Sequence, residues 1–267
     1  MAETTNKVAI VTGSATGVGA AAARQLAEKG CNVVINCTRS VAEAEATADE
    51  CRSAGAQAIV VQADVSDDEA CKRMVQEALD AWGRIDYLIN NAARTKFNAY
   101  EDLDGLNKQD FLDIYAVNVV GAYQMIRAVE PHMRARGAGA VVNKSSIGGV
   151  TGIASSMAYA ASKAALNLMT RSLAHVLAPE IRINAVVPGM IQTRWLQAGM
   201  GDEAYQAMLQ AASAMTPLKK VATADEVAEV LVWFLEGASV VTGETLIVDS
   251  GLHLGQLPPS SSKKAEW

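Results

Sequence analysis

Short runs rich in β-branched residues recur along the chain, at residues 8–12, 33–36, 58–62, 85–90, 140–143, 181–187 and 245–249. Between them lie longer, Ala-rich stretches of helical period, at 17–29, 42–54, 67–82, 108–136, 157–177 and 224–235. Several runs are apolar on both faces, which suits a strand only when helices cover its sheet on both sides. Strand and helix in strict alternation is the pattern of βαβ units. The expectation is an α/β chain with a doubly wound, seven-stranded parallel sheet in a single domain of residues 1–255. Residues 189–218 break the alternation and carry Trp195, Leu196, Met200, Tyr205, Met208 and Leu209. An excursion of that length reads as a lid. The polar, proline-bearing tail at 256–267 reads as mobile.

Half of the 267 residues are hydrophobic and 19% are charged, so the chain can bury a large core and is not a disordered one. The net charge of −6 and the absence of a long basic run argue against nucleic acid as a partner. The longest apolar stretches, such as 230–235, fall far short of the roughly 18 residues a membrane span needs. The amino terminus lacks the basic region of a signal peptide, which points to the cytoplasm. Cys31, Cys37, Cys51 and Cys71 have neither CxxC nor Cys/His ligand spacing, so free thiols and no metal site are expected.

The first strand runs into Gly13-Ser14-Ala15-Thr16-Gly17-Val18-Gly19 and then a helix. Glycines there let the backbone approach a pyrophosphate at the positive end of the helix, so Gly13, Ser14, Thr16, Gly17, Val18 and Gly19 are candidate dinucleotide contacts. About twenty residues further on, such a fold normally carries an acid for the adenosine ribose. Here Asn36-Cys37-Thr38-Arg39 offers no carboxylate, and Arg39 suits a 2′-phosphate, so NADP(H) is expected ahead of NAD(H). Asp64 and Val65, after the third strand, are candidates for the adenine.

Tyr159 and Lys163 stand four apart in an Ala-rich helix, on one face. A phenol of pKa about 10 becomes a useful acid or base when cations stabilise its anion, and Lys163 and an oxidised nicotinamide would both act in that sense. Ser146, at the end of the fifth strand, can hydrogen-bond a carbonyl; alternation turns its neighbour Ser145 to the opposite face.

With the glycine loop, Asp64-Val65, Asn90-Asn91-Ala92-Ala93, Asn118, Ser146, Tyr159-Ala160-Ala161-Ser162-Lys163 and Pro188-Gly189 in this order, the chain resembles the short-chain dehydrogenase/reductase family from Lys7 to Gly251. Within that family it is most similar to the 3-oxoacyl-[acyl-carrier-protein] reductase type. The resemblance implies a Rossmann-type sheet and a catalytic tetrad of Asn118, Ser146, Tyr159 and Lys163. In that tetrad Lys163 also holds the nicotinamide ribose, and the Asn118 backbone holds a water of the proton relay. It further implies cofactor contacts from Asn91, Ala92, Pro188, Gly189, Ile191 and Thr193. The family usually has glycine at the position of Ala93, which puts the backbone path there in question.

The resulting expectation is an NADPH-dependent reduction of a ketone to a secondary alcohol. The resemblance suggests a 3-oxoacyl thioester as substrate; a sugar, steroid, cyclic or xenobiotic carbonyl is the alternative, and a catalytically silent NADP-binding regulator a further one. An acyl-carrier protein would use basic residues such as Arg127, Arg134, Arg136 and Arg171, and Arg94, Lys96 and Arg194 are candidates for an anionic substrate. His132, His175 and His253 have no triad or ligand spacing. Small and apolar residues on the helices at 108–136 and 157–177, among them Ala158, Ala161, Ala164, Ala165, Leu168 and Leu173, exceed what one sheet can cover. Family members pair these helices, so a homotetramer is expected, with a dimer as alternative.

Overall fold

The computed structural model describes residues 7–194, 197 and 201–255. Among the described residues, nine strands occur in chain order: β1 (Val8–Val11), β2 (Asn32–Cys37), β3 (Ala58–Gln62), β4 (Tyr87–Asn90), β5 (Gly139–Lys144), β6 (Ile181–Pro188), β7 (Ile191–Gln192), β8 (Ala222–Thr223) and β9 (Thr245–Val248). Seven of them form one parallel sheet in the order β3-β2-β1-β4-β5-β6-β9, and these seven are the runs expected from the sequence. The pair β7-β8 forms a separate two-stranded ladder that sequence patterning missed, because two residues are too few to show a period.

Helices α1 (Gly17–Glu28), α2 (Val41–Ser53), α3 (Asp68–Trp82), α4 (Lys108–Tyr115), α5 (Ala122–Ala135), α6 (Gly148–Thr151), α7 (Met157–Leu177), α8 (Asp202–Met215) and α9 (Ala224–Glu236) flank the sheets. Alternation along the strands divides the core in two. Ile10, Val34, Leu88, Val141 and Ile183 face α3, α5 and α7. Ala9, Val11, Val33, Ile35, Ile89 and Val142 face α1, α2 and α9. Each fully buried Val, Leu or Ile contributes on the order of 1.5–3 kcal/mol, so a strand that slipped by one residue would forfeit both layers at once. Ala20, Ala21, Ala22 and Ala23 are all buried, and their small side chains let α1 pack closely on the sheet and α9.

Caps fix where the helices begin. Asp67 accepts from the backbone of Glu69 at 3.0 Å to open α3, and Ser156 accepts from Tyr159 at 3.3 Å to open α7. Thr223 and Glu226 form a capping box on α9. A buried polar seam ties the strand ends to α7: Asn90 Nδ2 donates to Asn143 Oδ1 at 2.9 Å, and Asn143 Nδ2 donates to Thr170 Oγ1 at 2.9 Å. A partner lost from such a seam leaves a buried donor unsatisfied, so it specifies the register of β4 against β5.

The structure differs from the expected continuous helix at 108–136. A π-helical turn, Ala116–Gly121, separates α4 from α5. Asn118 points inward from it, donating to Arg94 O at 3.0 Å and Ser162 Oγ at 2.9 Å and accepting from Arg94 N at 2.8 Å. Three bonds on one side chain hold the widened turn, and hydrophobic period alone does not register the inserted residue. Within α7, Ala158 is buried rather than part of the outer stripe, whereas Met157, Ala161, Ala164, Leu168 and Val176 are exposed.

In the 189–218 segment, α8 is amphipathic and buries Tyr205. Trp195, Leu196, Met200 and the tail at 256–267 lie outside the described residues. Among the described residues, no helix is long and apolar enough to cross a membrane. The four cysteines are buried and unpaired, and burial pushes the Cys31 thiol up to about 12, which leaves it unreactive.

Candidate active site

Strand order reverses between β1 and β4, and at such a switch point the loops leaving the carboxyl ends of the strands diverge to opposite faces and open a crevice. The crevice here has a volume of about 1490 Å³, more than one small ligand occupies. Its two rims are clasped by Thr12, whose Oγ1 accepts from Asn91 N at 3.0 Å and Ala92 N at 3.1 Å. Asn91 Nδ2 returns the clasp by donating to Thr12 O at 3.0 Å and Gly13 O at 2.8 Å. Gly13 has φ +61°, and a Cβ on it would meet Ala92 Cα at 2.9 Å, so glycine is needed there for conformation and space together. Ala93 keeps a negative φ, since Lys219 and Ser250 are the non-glycine residues of the described set with positive values. The departure from the family's glycine at this position therefore costs no backbone strain.

Gly13, Thr16, Gly17, Val18, Arg39, Asp64, Val65, Asn91, Ala92, Pro188, Gly189, Ile191 and Thr193 all line the cleft. Ser14 and Gly19 do not. Ser14 is fully buried, donating to Val11 O at 2.6 Å and accepting from Asn36 N at 2.9 Å, and so pins the loop to β2. Gly19 leaves room for Asn91, whose Nδ2 would lie 2.5 Å from a Cβ there. Asn36, at the end of β2, supports the loop by accepting from Gly13 N at 3.0 Å. Arg39 is exposed on the rim, without an ion pair among the described residues. Asp64 is exposed and accepts from Ser66 N at 2.9 Å, a local turn bond that coexists with a place on the cleft wall.

Tyr159 and Ser146 line the cleft together, with the Ser146 side chain close enough to act on the phenol, and Ser146 Oγ accepts from Gly148 N at 3.2 Å. Ser145 is buried on the opposite side, its Oγ donating to Lys163 O at 3.2 Å. Lys163 is buried behind the tyrosine, with Nζ 5.6 Å from the ring centroid and donating to Lys144 O at 2.9 Å. Asn118 lies deeper still, in contact with Arg94 and Ser162 and away from the cleft wall.

The expected depression of the Tyr159 pKa by Lys163 is not found. Burial pushes the phenol up to about 12, and the opposing influence is the bond from Ser146. Burial, with the charge of Lys144 second, lowers Lys163 to about 7. Dehydrating a phenolate costs more than a lysine committed to a backbone carbonyl returns. At neutral pH the tyrosine is thus a neutral phenol, the form that can give up a proton.

β5 runs one residue past the expected 140–143, to Lys144. That lysine lines the cleft, half-buried, and burial lowers its ammonium to about 8. A lysine at the end of an otherwise apolar strand was the available signal. The cations considered for an anionic substrate are paired: Arg94 with Asp113 at 3.0 Å, Lys96 with Asp110 at 2.7 Å and Arg194 with Glu43 at 2.7 Å. Apolar groups complete the mouth, with Phe97, Ile153, Met190 and Met208 on its walls.

A family profile described as enoyl-(acyl carrier protein) reductase matches residues 13–253. A protein assigned as ketoacyl reductase 2 of the granaticin polyketide synthase of Streptomyces violaceoruber is 38% identical over 92% of this chain and 96% of its own length. The 3-oxoacyl-[acyl-carrier-protein] reductase FabG of Staphylococcus epidermidis is 33% identical over 93% of this chain and 100% of its own. A crystal structure assigned to a short-chain dehydrogenase/reductase from Burkholderia xenovorans superposes with a TM-score of 0.86 at 38% identity, covering 94% of this chain and 99% of that one. The chain belongs to the short-chain dehydrogenase/reductase family. It is an NAD(P)-dependent oxidoreductase with a single Rossmann-type domain, which sets aside the silent regulator. An NAD+-bound xylitol dehydrogenase is also similar, at TM-score 0.84 and 28% identity over 92% of this chain and 98% of that one.

The residues present fit a nicotinamide dinucleotide. Thr16 makes no side-chain cap on α1, which leaves the first N–H groups of that helix to an anion. Gly17, at φ +61°, has Thr193 as the nearest group a Cβ would meet, at 3.8 Å. Asn91 Oδ1 is a buried acceptor without a partner in a residue on the cleft wall.

A lysine held near pKa 7 when folded and near 10.5 when unfolded gives the unfolded chain the greater proton uptake above pH 7. Stability should therefore rise as the pH climbs from about 7 to about 8.5. Lys163→Met should flatten that rise and lift the melting temperature most at the acidic end. Thermal melts across this window check it, and equal slopes for both proteins would contradict it.

Proposed function

We propose that this enzyme reduces a neutral, largely apolar ketone to a secondary alcohol with NADPH. The observation that carries the reading is the Ser146–Tyr159 hydroxyl pair at the end of a cleft that begins at the glycine loop. Bound NADPH supplies the hydride. Ser146 orients the substrate carbonyl by hydrogen bonding to its oxygen, and Tyr159, protonated at neutral pH, delivers its proton to that oxygen as negative charge develops there. Lys163, with a pKa near 7, stabilises the resulting phenolate and passes on the proton that restores it. Asn118 holds the π turn that fixes the chain behind Lys163. Asn91, Ala92, Pro188, Gly189, Ile191 and Thr193 hold the nicotinamide end, and the amino terminus of α1 the pyrophosphate.

The names of the relatives favour a 3-oxoacyl thioester. The paired Arg94, Lys96 and Arg194 leave no net cationic mouth for an anionic substrate. Of the residues considered for an acyl-carrier protein, Arg127, Arg134 and Arg136 are bound to Asp68, Glu130 and Asp86, and Arg171 is exposed on α7 for such a contact. NADPH consumption across acetoacetyl thioesters, cyclic ketones, sugars and an enoyl thioester tests the reading. Turnover of the enoyl compound with none of the ketones would overturn it. Tyr159→Phe should bind NADPH as before and lose at least about a thousandfold in turnover, and Ser146→Ala should lose far more than Ser145→Ala.

Arg39 supports the choice of NADPH, because β2 ends without a carboxylate and the guanidinium, exposed on the rim, has no ion pair among the described residues. Arg39→Asp should shift the NADPH/NADH preference, measured as a ratio of kcat/KM values, by about a hundredfold toward NADH. An unchanged ratio would mean that Arg39 does not meet the phosphate.

Assembly as a homotetramer in the cytoplasm completes the proposal. One exposed apolar set lies along α4 to α7, with Phe111, Leu112, Val120, Tyr123 and Leu168, and a second lies by the edge strand β9, with Trp233, Val240 and Leu246. Two separate isologous patches suit the two interface types of a dihedral tetramer better than one dimer contact. Light scattering should give a tetramer, and Leu168→Glu and Trp233→Glu should each leave a dimer; a monomeric wild type would refute the assembly.

A further inference from the structure

Four cations line the cleft: Arg39, Arg94, Lys144 and Arg194. Arg94 and Arg194 are neutralised by Asp113 and Glu43, and Arg39 stands exposed at the adenosine end. Lys144 differs from all three. Its strand register sets it beside Val186 of β6, two residues before Pro188, and one residue beyond the Asn143–Asn90 pair that leads into Asn91. Alternation turns its side chain away from Asn143 and Ser145, which face α7, and onto the face shared with Val142 and α9. It is half-buried, and its ammonium has no ion pair or hydrogen bond among the described residues. Its carbonyl receives Lys163 Nζ at 2.9 Å, so the strand that carries this charge also anchors the lysine behind Tyr159.

A partly dehydrated cation in this position acts on whatever charge enters the same end of the cleft. The two redox forms of the dinucleotide share their phosphates and differ in the ring, which is positive when oxidised and neutral when reduced. We propose that Lys144 discriminates between these forms, weakening the hold on the oxidised dinucleotide relative to the reduced one and so hastening its release after each reduction. This rests on the reading that Tyr159, Pro188 and Gly189 mark the nicotinamide end. Burial that lowers the Lys144 ammonium to about 8 leaves it mostly charged at neutral pH, where the discrimination is needed. A charge that merely held a phosphate would serve both forms alike.

The test is equilibrium binding of NADPH and of NADP+ to the full-length protein at about pH 6.5, by calorimetry, for wild type, Lys144→Met, Lys144→Gln and Lys144→Arg. In wild type the ratio of the NADP+ to the NADPH dissociation constant should be large. Met and Gln should each reduce it about tenfold by tightening NADP+, with NADPH changed less than about twofold, and Arg should preserve it. Both neutral variants should also melt at a higher temperature than wild type at this pH, because an unpaired, partly buried charge is removed. An unchanged ratio, or equal weakening of both forms, would overturn the proposal while leaving the oxidoreductase reading intact. Failure of wild type to bind either dinucleotide would instead overturn the cofactor assignment on which it rests.

Discussion

The clasp between Thr12 and Asn91 holds the functional architecture together. A parallel sheet whose strand order reverses must part its loops at the reversal, and nothing in the sheet's own ladder fixes how far. Here one threonine hydroxyl accepts two backbone N–H groups from the far rim, and one amide donates two bonds back. The gap is thereby set by four bonds of ordinary length in a buried setting, where each unmade bond costs on the order of 1–3 kcal/mol. Gly13 and Gly19 follow from that closeness, since a Cβ on either would strike the opposite rim or the clasping amide. The glycine loop is thus already constrained by the wall it touches.

At the other end of the cleft the chemistry depends on dehydration. Tyr159 and Lys163 are both buried, and burial moves their pKa values in opposite directions, to about 12 and about 7. Each shift favours the neutral form, so at neutral pH the tyrosine rests as a phenol while the lysine is shared about evenly between ammonium and amine. Such a pair holds proton transfer in reserve until charge develops beside it. Lys144 raises the stakes, because its own charge disfavours a second ammonium nearby.

Much of this was legible beforehand. The seven strands of the main sheet follow from β-branched runs at regular spacing, and Ser146 against Ser145 follows from strand alternation, since the structure places one on the cleft and buries the other. What escaped the sequence depends on three-dimensional partners. The π turn at Asn118 is held by the backbone of Arg94, twenty-four positions earlier in the chain, and no local pattern reports such a bond. Ser14 and Gly19 sit within the glycine motif, and the motif alone does not show that the Ser14 hydroxyl bonds to β2 or that the missing Cβ of Gly19 leaves space for Asn91. The sign of the tyrosine's pKa shift was also out of reach, because spacing shows a lysine on the same face and says nothing about how much water remains around either group.

The distribution of charge along the cleft then bears on what enters it. Exposed ion pairs contribute only about 0–1 kcal/mol each, so the pairs at Arg94, Lys96 and Arg194 do little for stability. Their effect is to cancel: each basic group at the substrate mouth has an acid within 3.0 Å, and the field of the mouth is that of dipoles, which decays faster than that of a lone charge. Among the described residues, Arg39 and Lys144 are the cations of the cleft wall without an ion pair. On the proposed reading, Arg39 meets the cofactor's phosphate, Lys144 senses the charge of its ring, and the apolar wall of Phe97, Ile153, Met190 and Met208 is left to meet the second reactant. On that reading, the division lets one cavity hold a highly charged cofactor and an uncharged ketone without either competing for the place of the other.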